Sequence, residues 1–280
     1  MKKKGYTLTE LIGVIVLLAA ILLLIIPAVS KTLKDGKQKL LDSQFENLKQ
    51  TLATWAMDNK PSEGETIQLT LYQLKKESLV ENDIKNPLTN EYMANDMVLT
   101  VTNNDGVLTY EVLSDTGKCK YDYAKIPSID IIGDIITYVE LGSNYEDLGA
   151  LAFDKSDIKK ENPLEHLISE GDVDVTKIGN NYITYNISKN GYCNSSIRTV
   201  IVRDTTAPVI SFNDSLTISY DEIDTYDFLT DVTITDNSNI TPTIEVRTDF
   251  TAIKGNYSIE YIATDASGNV STKLRKVTVK

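Results

Sequence analysis

Glu10 is the side chain of this 280-residue protein whose setting most demands a chemical explanation. It lies just past Lys2, Lys3 and Lys4 and opens an uncharged stretch from Leu11 to Val29. A carboxylate at the mouth of an apolar helix is costly in hydrocarbon, and it persists there when a cation partners it or when it has a function. Other chemistry-bearing residues are sparse. His166, the sole histidine, sits in Asn162-Pro-Leu-Glu-His-Leu, and no zinc spacing, phosphate loop or Ser/His pairing accompanies it. No catalytic, cofactor-binding or metal set is therefore assigned, and the chain does not read as an enzyme. Asp231, Asp236 and Asp265 have the right type for Ca²⁺, but turn-forming Asp is the commoner explanation of such residues. Cys119 and Cys193 are the two cysteines.

The element that positions Glu10 is an apolar helix of about 19 residues, enough to cross a bilayer. A secretory signal peptide is an alternative reading, since a basic start, an apolar core to Ile26 and small residues at Ala28 and Ser30 suit signal peptidase. A plain signal anchor is another. Charge does not orient the span, because Lys31, Lys34, Lys37 and Lys39 follow it much as three lysines precede it. After Pro27, expected to break or kink the helix, Leu41, Phe45, Leu48, Leu52 and Trp55 recur at steps of four and three. That stripe predicts an amphipathic second half packed on its own domain, with Gly36 a weak point.

Residues 2–10 resemble the class III signal of type IV prepilins and pseudopilins: a basic leader, Gly5, an aromatic residue (Tyr6, where Phe is usual), Thr7, Leu8, a variable Thr9 and Glu10. Pro27 stands 22 positions after Gly5, where the family also has a proline, while Ala19 stands where many relatives have Gly. The resemblance implies that a prepilin peptidase cuts between Gly5 and Tyr6, that the new Tyr6 amine is N-methylated, and that Glu10 pairs with that amine on a neighbouring subunit during filament assembly. It also implies an N-terminus inside the cell with the remainder outside: first in the cell membrane, then in an extracellular filament with other pilin subunits and an assembly platform.

Residues 1–60 carry nine lysines and five acids, so the overall charge of −12 leaves −16 on residues 61–280. An acidic exported part argues against direct nucleic-acid contact, which draws on basic patches. Residues 61–118 read as a small α+β head. Thr70 is placed to cap a helix bearing Leu71, Leu74 and Leu79, and Asn86-Pro87 marks its exit. Val98–Thr102 and Val107–Leu113 then alternate across Asn103-Asn104-Asp105-Gly106, a hairpin signal. Helix followed by a small antiparallel sheet again resembles pilin heads.

The second half is duplicated. Pro127-Ser-Ile129-Asp-Ile131 recurs as Pro208-Val-Ile210-Ser-Phe212, Tyr185 as Tyr261, and Arg198-Thr-Val200-Ile-Val202 as Arg275-Lys-Val277-Thr-Val279. These segments resemble bacterial surface immunoglobulin-like repeats, with Asp204-Thr-Thr-Ala-Pro208 as the joint between copies and Asp265-Ala-Ser-Gly268-Asn269 as a late turn. The first copy has Ser188-Lys-Asn-Gly191-Tyr-Cys193 at that turn instead. If each sandwich begins and ends with strands running the same way, Cys193 lies near the entry of the first repeat and close to Cys119. A disulfide tying repeat to head is then expected in an extracytoplasmic setting; two free thiols are the alternative.

The expected architecture is α+β: a leader at 1–5, a long N-terminal transmembrane helix at 6–60 with its span about 8–29, a pilin-like head at 61–118, a linker at 119–128, and all-β immunoglobulin-like sandwiches at 129–205 and 206–280. The expected function is a minor or tip pilin-like subunit displaying those modules to an unknown surface ligand. The alternative is a secreted or membrane-anchored surface adhesin. Adhesion, motility, secretion and DNA uptake all remain open as roles for such a filament.

Overall fold

In this computed structural model, residues 8–113, 122–248 and 253–280 are described. Helix α1, Leu8–Trp55, is one element of 48 residues, about 72 Å long at 1.5 Å per residue. Pro27 lies inside it, and the helix also continues through Gly36. Pro27 is therefore not a breaker: it forfeits one backbone bond, and the helix runs on from the Leu- and Ile-rich turns before it into the more polar turns after it. The helix has two characters. From Leu8 to Leu23 and from Ile25 to Leu33 its large apolar residues are exposed, whereas Leu41, Leu48, Leu52 and Trp55 are buried and Phe45 is half-buried. The predicted stripe is thus the packed face.

The chain divides into two compact units, one comprising 1–130, 151–168 and 185–196 and the other 131–150, 169–184 and 197–280. In the first, α1 packs on a three-stranded antiparallel sheet of β1 (Thr66–Thr70), β2 (Val98–Asn104) and β3 (Val107–Val112), in that order. Strand β1 is an addition to the predicted hairpin. The β2–β3 turn is Asp105-Gly106, with φ of 52° and 80°, the paired positive values of a two-residue hairpin loop. Helix α2, Leu71–Lys76, follows β1 directly, and the Thr70 N–H donates to Gln73 Oε1 at 2.9 Å. Leu79 falls beyond the helix. Ser78 adopts φ 62° and the Leu79 N–H reaches back to the Leu74 carbonyl at 3.0 Å, a left-handed termination that stops α2 before Leu79 can join it.

The remaining strands are β4 (Ser128–Ile131), β5 (Ile136–Glu140), β6 (Ala150–Phe153), β7 (Ile168–Glu170), β8 (Gly179–Lys189), β9 (Tyr192–Arg203), β10 (Val209–Ser211), β11 (Ser215–Ile218), β12 (Thr233–Thr235), β13 (Thr243–Thr248), β14 (Gly255–Thr264) and β15 (Val270–Val279). Their pairing repeats: a four-stranded sheet β5-β9-β8-β7 and a pair β4-β6 in the first copy match β11-β15-β14-β13 and β10-β12 in the second. In each copy the second strand runs parallel to the last, Ile136 opposite Thr199 and Ser215 opposite Lys276. The duplication seen in the residues is therefore a duplication of topology. The Asp-rich turn is not: β8 and β9 join through Asn190-Gly191 at φ 56° and 82°, whereas Asp265 caps the longer turn between β14 and β15. The second copy's core gathers Ile210, Ile218, Ile259, Tyr261, Val277 and Val279, and the Tyr261 hydroxyl donates to the Phe228 carbonyl at 2.9 Å.

Candidate functional site

The first candidate is the exposed half of α1. Glu10 stands in its first turn and is exposed, followed by Leu11, Ile12, Val14 and Ile15, each more than half exposed. The helix is long and apolar enough to cross a membrane. A contiguous apolar surface of this kind demands hydrocarbon or another helix. Gly5 and Tyr6 lie outside the described residues, as does Cys119. Cys193, in the second position of β9, sits 3.6 Å from the Ser188 hydroxyl.

A second candidate lies within the first unit, where a cleft of about 420 Å³ opens beside α2. Three stretches distant in sequence build it, 72–95, 123–130 and 154–160. Tyr72 holds β4 to α2: its hydroxyl accepts from the Ile129 N–H at 3.0 Å and donates to the Ile129 carbonyl at 3.3 Å. Burial pushes that phenol up to about 12. Lys75 is 5% exposed and donates to Asn95 Oδ1 at 3.0 Å; burial lowers its ammonium to about 8. Asp130 receives two lysines, Lys76 at 2.7 Å and Lys160. Burial opposes ionisation of Asp130, but the hydrogen bonds from Lys160 and Lys76 outweigh it and hold the carboxyl below its ordinary value. Lys155 sets its ammonium 4.0 Å above the Tyr123 ring, a cation–π contact. No motif announced this cleft, because its residues become neighbours only when β4 docks beside α2.

The third feature is the joint between the repeats, within the second unit. Glu140, at the end of β5, accepts from the Thr205 N–H at 3.1 Å, the Thr206 hydroxyl at 2.6 Å and the Asn237 amide at 3.0 Å. Asp204 accepts from the Ser267 hydroxyl at 3.0 Å, and its carbonyl accepts from the Asn269 amide at 3.0 Å. The segment Asp204–Pro208 read as a joint is thus held by residues from both copies. Asp204, Asp236 and Asp265 bring carboxylate oxygens within 4.8 Å of one another. Asp236 and Asp265 also cap their own turns, at Ser238 N and Ser267 N (both 2.9 Å). Asp231 instead pairs with Arg275. His166 is exposed in the segment before β7.

Residues 129–202 match the family described as "Bacterial surface protein, Ig-like domain". This stretch is therefore a bacterial surface immunoglobulin-like domain, and with the apolar α1 it fits membrane anchoring or surface display. No curated protein matches the chain. Among solved structures, one likeness is to the M60 catalytic domain with the CBM51-1 and CBM51-2 domains of ZmpB from Clostridium perfringens, at 12% identity and a TM-score of 0.32, covering 66% of this chain and 33% of that one. The chain thus spans a third of that structure's length. Others are the lipoprotein BT2262 from Bacteroides thetaiotaomicron (14%, TM-score 0.26, 55% and 80% covered) and Drosophila N-cadherin EC1-4 (9%, TM-score 0.25, 79% and 68% covered). Likeness at these scores assigns neither fold nor activity.

Proposed function

We propose that the chain is a type IV pilin-like subunit, minor or at the tip, cut by a prepilin peptidase between Gly5 and Tyr6 and assembled into a filament that displays its immunoglobulin-like modules for adhesion or spacing. The observation that carries this reading is the division of α1 into an exposed apolar half and a half packed on β2 and β3. A helix so divided suits a subunit that rests in the membrane by its first half and later exchanges lipid for the same halves of its neighbours, while its second half holds the head. The leader motif at residues 2–10 supports the same reading. The extra ~160 residues favour a minor or tip position, because every copy in a helical array must repeat the same contacts. A Cys119–Cys193 disulfide belongs to this extracytoplasmic reading.

The alternative, an anchored or secreted surface adhesin, draws on the family match at 129–202 and uses α1 only for export or attachment. The N-terminal residue and intact mass of protein recovered from the cell surface separate the readings. A start at Tyr6 with an added methyl supports prepilin processing. Lys31 as the first residue means release by signal peptidase, and an intact Met1 means an unprocessed anchor; either outcome removes the filament reading.

A further inference from the structure

We infer that the cleft beside α2 binds a small hydroxylated carboxylate of monosaccharide size, an acidic sugar in preference to a neutral one. The inference does not depend on whether the chain enters a filament. Its volume of about 420 Å³ falls in the range of small-molecule sites. Its charge runs against that of the molecule: in a chain of net −12, four lysines of the lining (75, 76, 155 and 160) face three aspartates. Charges just outside the lining leave that balance unchanged, because Lys189 beside Asp154 and Asp83 beside Lys75 offset one another. Asp130 is shared by Lys76 and Lys160, and Asp154 is held by Lys189 from outside the lining. Asp157 turns its carboxylate to the backbone N–H groups of Glu161 and Asn162, at 3.3 and 2.8 Å.

The remaining lining argues for the rest of the ligand. Ser78, Asn82 and Asn95 offer groups able to meet hydroxyls, and Tyr123 with Ile158 supplies an apolar wall. All four basic groups of the lining are lysines, point charges rather than planar forks. Lys75 adds a distinctive property. It is buried, donates to Asn95 and faces the Asp83 carboxylate; burial outweighs Asp83 and lowers the ammonium to about 8. An anion bound beside it therefore draws a proton back onto the amine, and affinity falls as pH rises through that range.

The test is calorimetric titration of the full chain in detergent micelles with N-acetylneuraminate, glucuronate, N-acetylglucosamine and inorganic phosphate. Both acids are expected to bind, with the neutral sugar and phosphate at least about tenfold weaker, and acid affinity is expected to drop between neutral pH and about pH 9. The double variant Lys155→Gln/Lys160→Gln should lose about tenfold in affinity, while Lys85→Gln, whose lysine stacks on Tyr92 outside the lining, should lose none. Failure of both acids to bind at ~10 mM, equal binding of the neutral sugar or of phosphate, or an equal loss in Lys85→Gln would overturn the assignment. Should the double variant not fold, salt decides it: binding by a lysine cluster weakens steeply as ionic strength rises, and salt-independent binding of the acids refutes the inference.

Discussion

Arg275 is 1% exposed and forks onto Asp231, Nη1 donating to Oδ1 at 2.6 Å and Nη2 to Oδ2, while its Nε donates to the Asn213 carbonyl at 3.0 Å. Arg198, 2% exposed, holds the equivalent place in the first repeat, with Nη1 on Asp147, Nη2 on the Ile132 carbonyl and Nε on the Asp134 carbonyl at 3.1 Å. Each copy thus buries one guanidinium that ties its last strand to the loop after its first. The hydrogen bonds from Arg275 hold the Asp231 carboxyl below its ordinary value. The arginine that opens the repeated segment in the sequence is a packing centre in the fold.

Removing one partner of such a pair leaves a charge buried without its counter-ion. Asp231→Ala should therefore destabilise the second repeat by roughly 3 kcal/mol, the low end of the usual cost, because Asp231 keeps 32% of its side chain in solvent. The double variant Arg275→Met/Asp231→Leu should recover much of that loss, since an apolar pair removes the desolvation cost along with the attraction. Thermal unfolding of the three proteins checks this; a double variant as unstable as Asp231→Ala would show that the arginine's carbonyl contact, not its charge pairing, is what matters.

Stability should also depend on alkaline pH in two opposing steps. The folded pKa of Lys75, about 8, lies below its ordinary 10.5, so the unfolded chain binds more protons between those values and stability rises with pH across that window. Charging Lys75 in its buried place costs roughly 3 kcal/mol at neutral pH. Tyr72 acts in reverse: with a folded pKa of about 12 against 10.0, it keeps its proton after the unfolded chain has lost it, and stability falls as pH rises above 10. Melting temperature against pH should peak near pH 10. Lys75→Met should flatten the rising limb, and Tyr72→Phe should make the falling one shallower, since burial also raises Tyr145, Tyr182 and Tyr261 and these contribute to it; unchanged limbs would assign the titration to other groups.

Much of the fold was legible because local signals agreed with tertiary needs. Leu48, Leu52 and Trp55 were readable as a packed face from spacing alone, and Asp105-Gly106 as a hairpin turn from backbone chemistry. Leu79 was misplaced on α2 because its spacing fits a helical face, whereas the left-handed Ser78 ends the helix first. Strand β1 went unread because its five residues abut α2 without an intervening turn. The cleft was illegible for a different reason. Lys75, Asp130 and Lys160 share no spacing, and only the docking of Ile129 on the Tyr72 hydroxyl brings them together.

The joint between repeats should loosen when Glu140 is lost or protonated. Burial opposes its ionisation, but the hydrogen bonds from Thr206, Thr205 and Asn237 outweigh it and hold the carboxyl below 4.5. A depressed carboxyl contributes stability that is present above the ordinary value and lost as pH falls through the folded one. Glu140→Ala near neutral pH, and the wild type in acid, should therefore both increase motion between the repeats, while acidification should change Glu140→Ala less than it changes the wild type, because the Asp204 carboxylate also holds the joint. NMR relaxation of the two copies measures it. Identical tumbling of wild type and Glu140→Ala would mean that Asp204 and Asn269 hold the joint without Glu140.

Glu10→Gln tests the filament reading at the residue from which it begins. The substitution keeps the shape and hydrogen-bonding capacity of the side chain and removes its charge, so a peptidase that recognises the leader around Gly5 should still cut. Assembly is a separate requirement: the proposed pairing with the amine of Tyr6 on a neighbouring subunit is a charge-assisted contact strengthened by low dielectric, which a neutral amide does not replace. Processed protein should accumulate in the membrane and fall at least about tenfold in sheared filament fractions, as expected for the loss of a contact worth roughly 1.4 kcal/mol or more. Processed Glu10→Gln protein that reaches those fractions at the wild-type level would remove Glu10 from assembly. Equal surface display of both proteins without any filament would leave the anchored adhesin as the better reading, with α1 serving only to hold the repeats at the membrane.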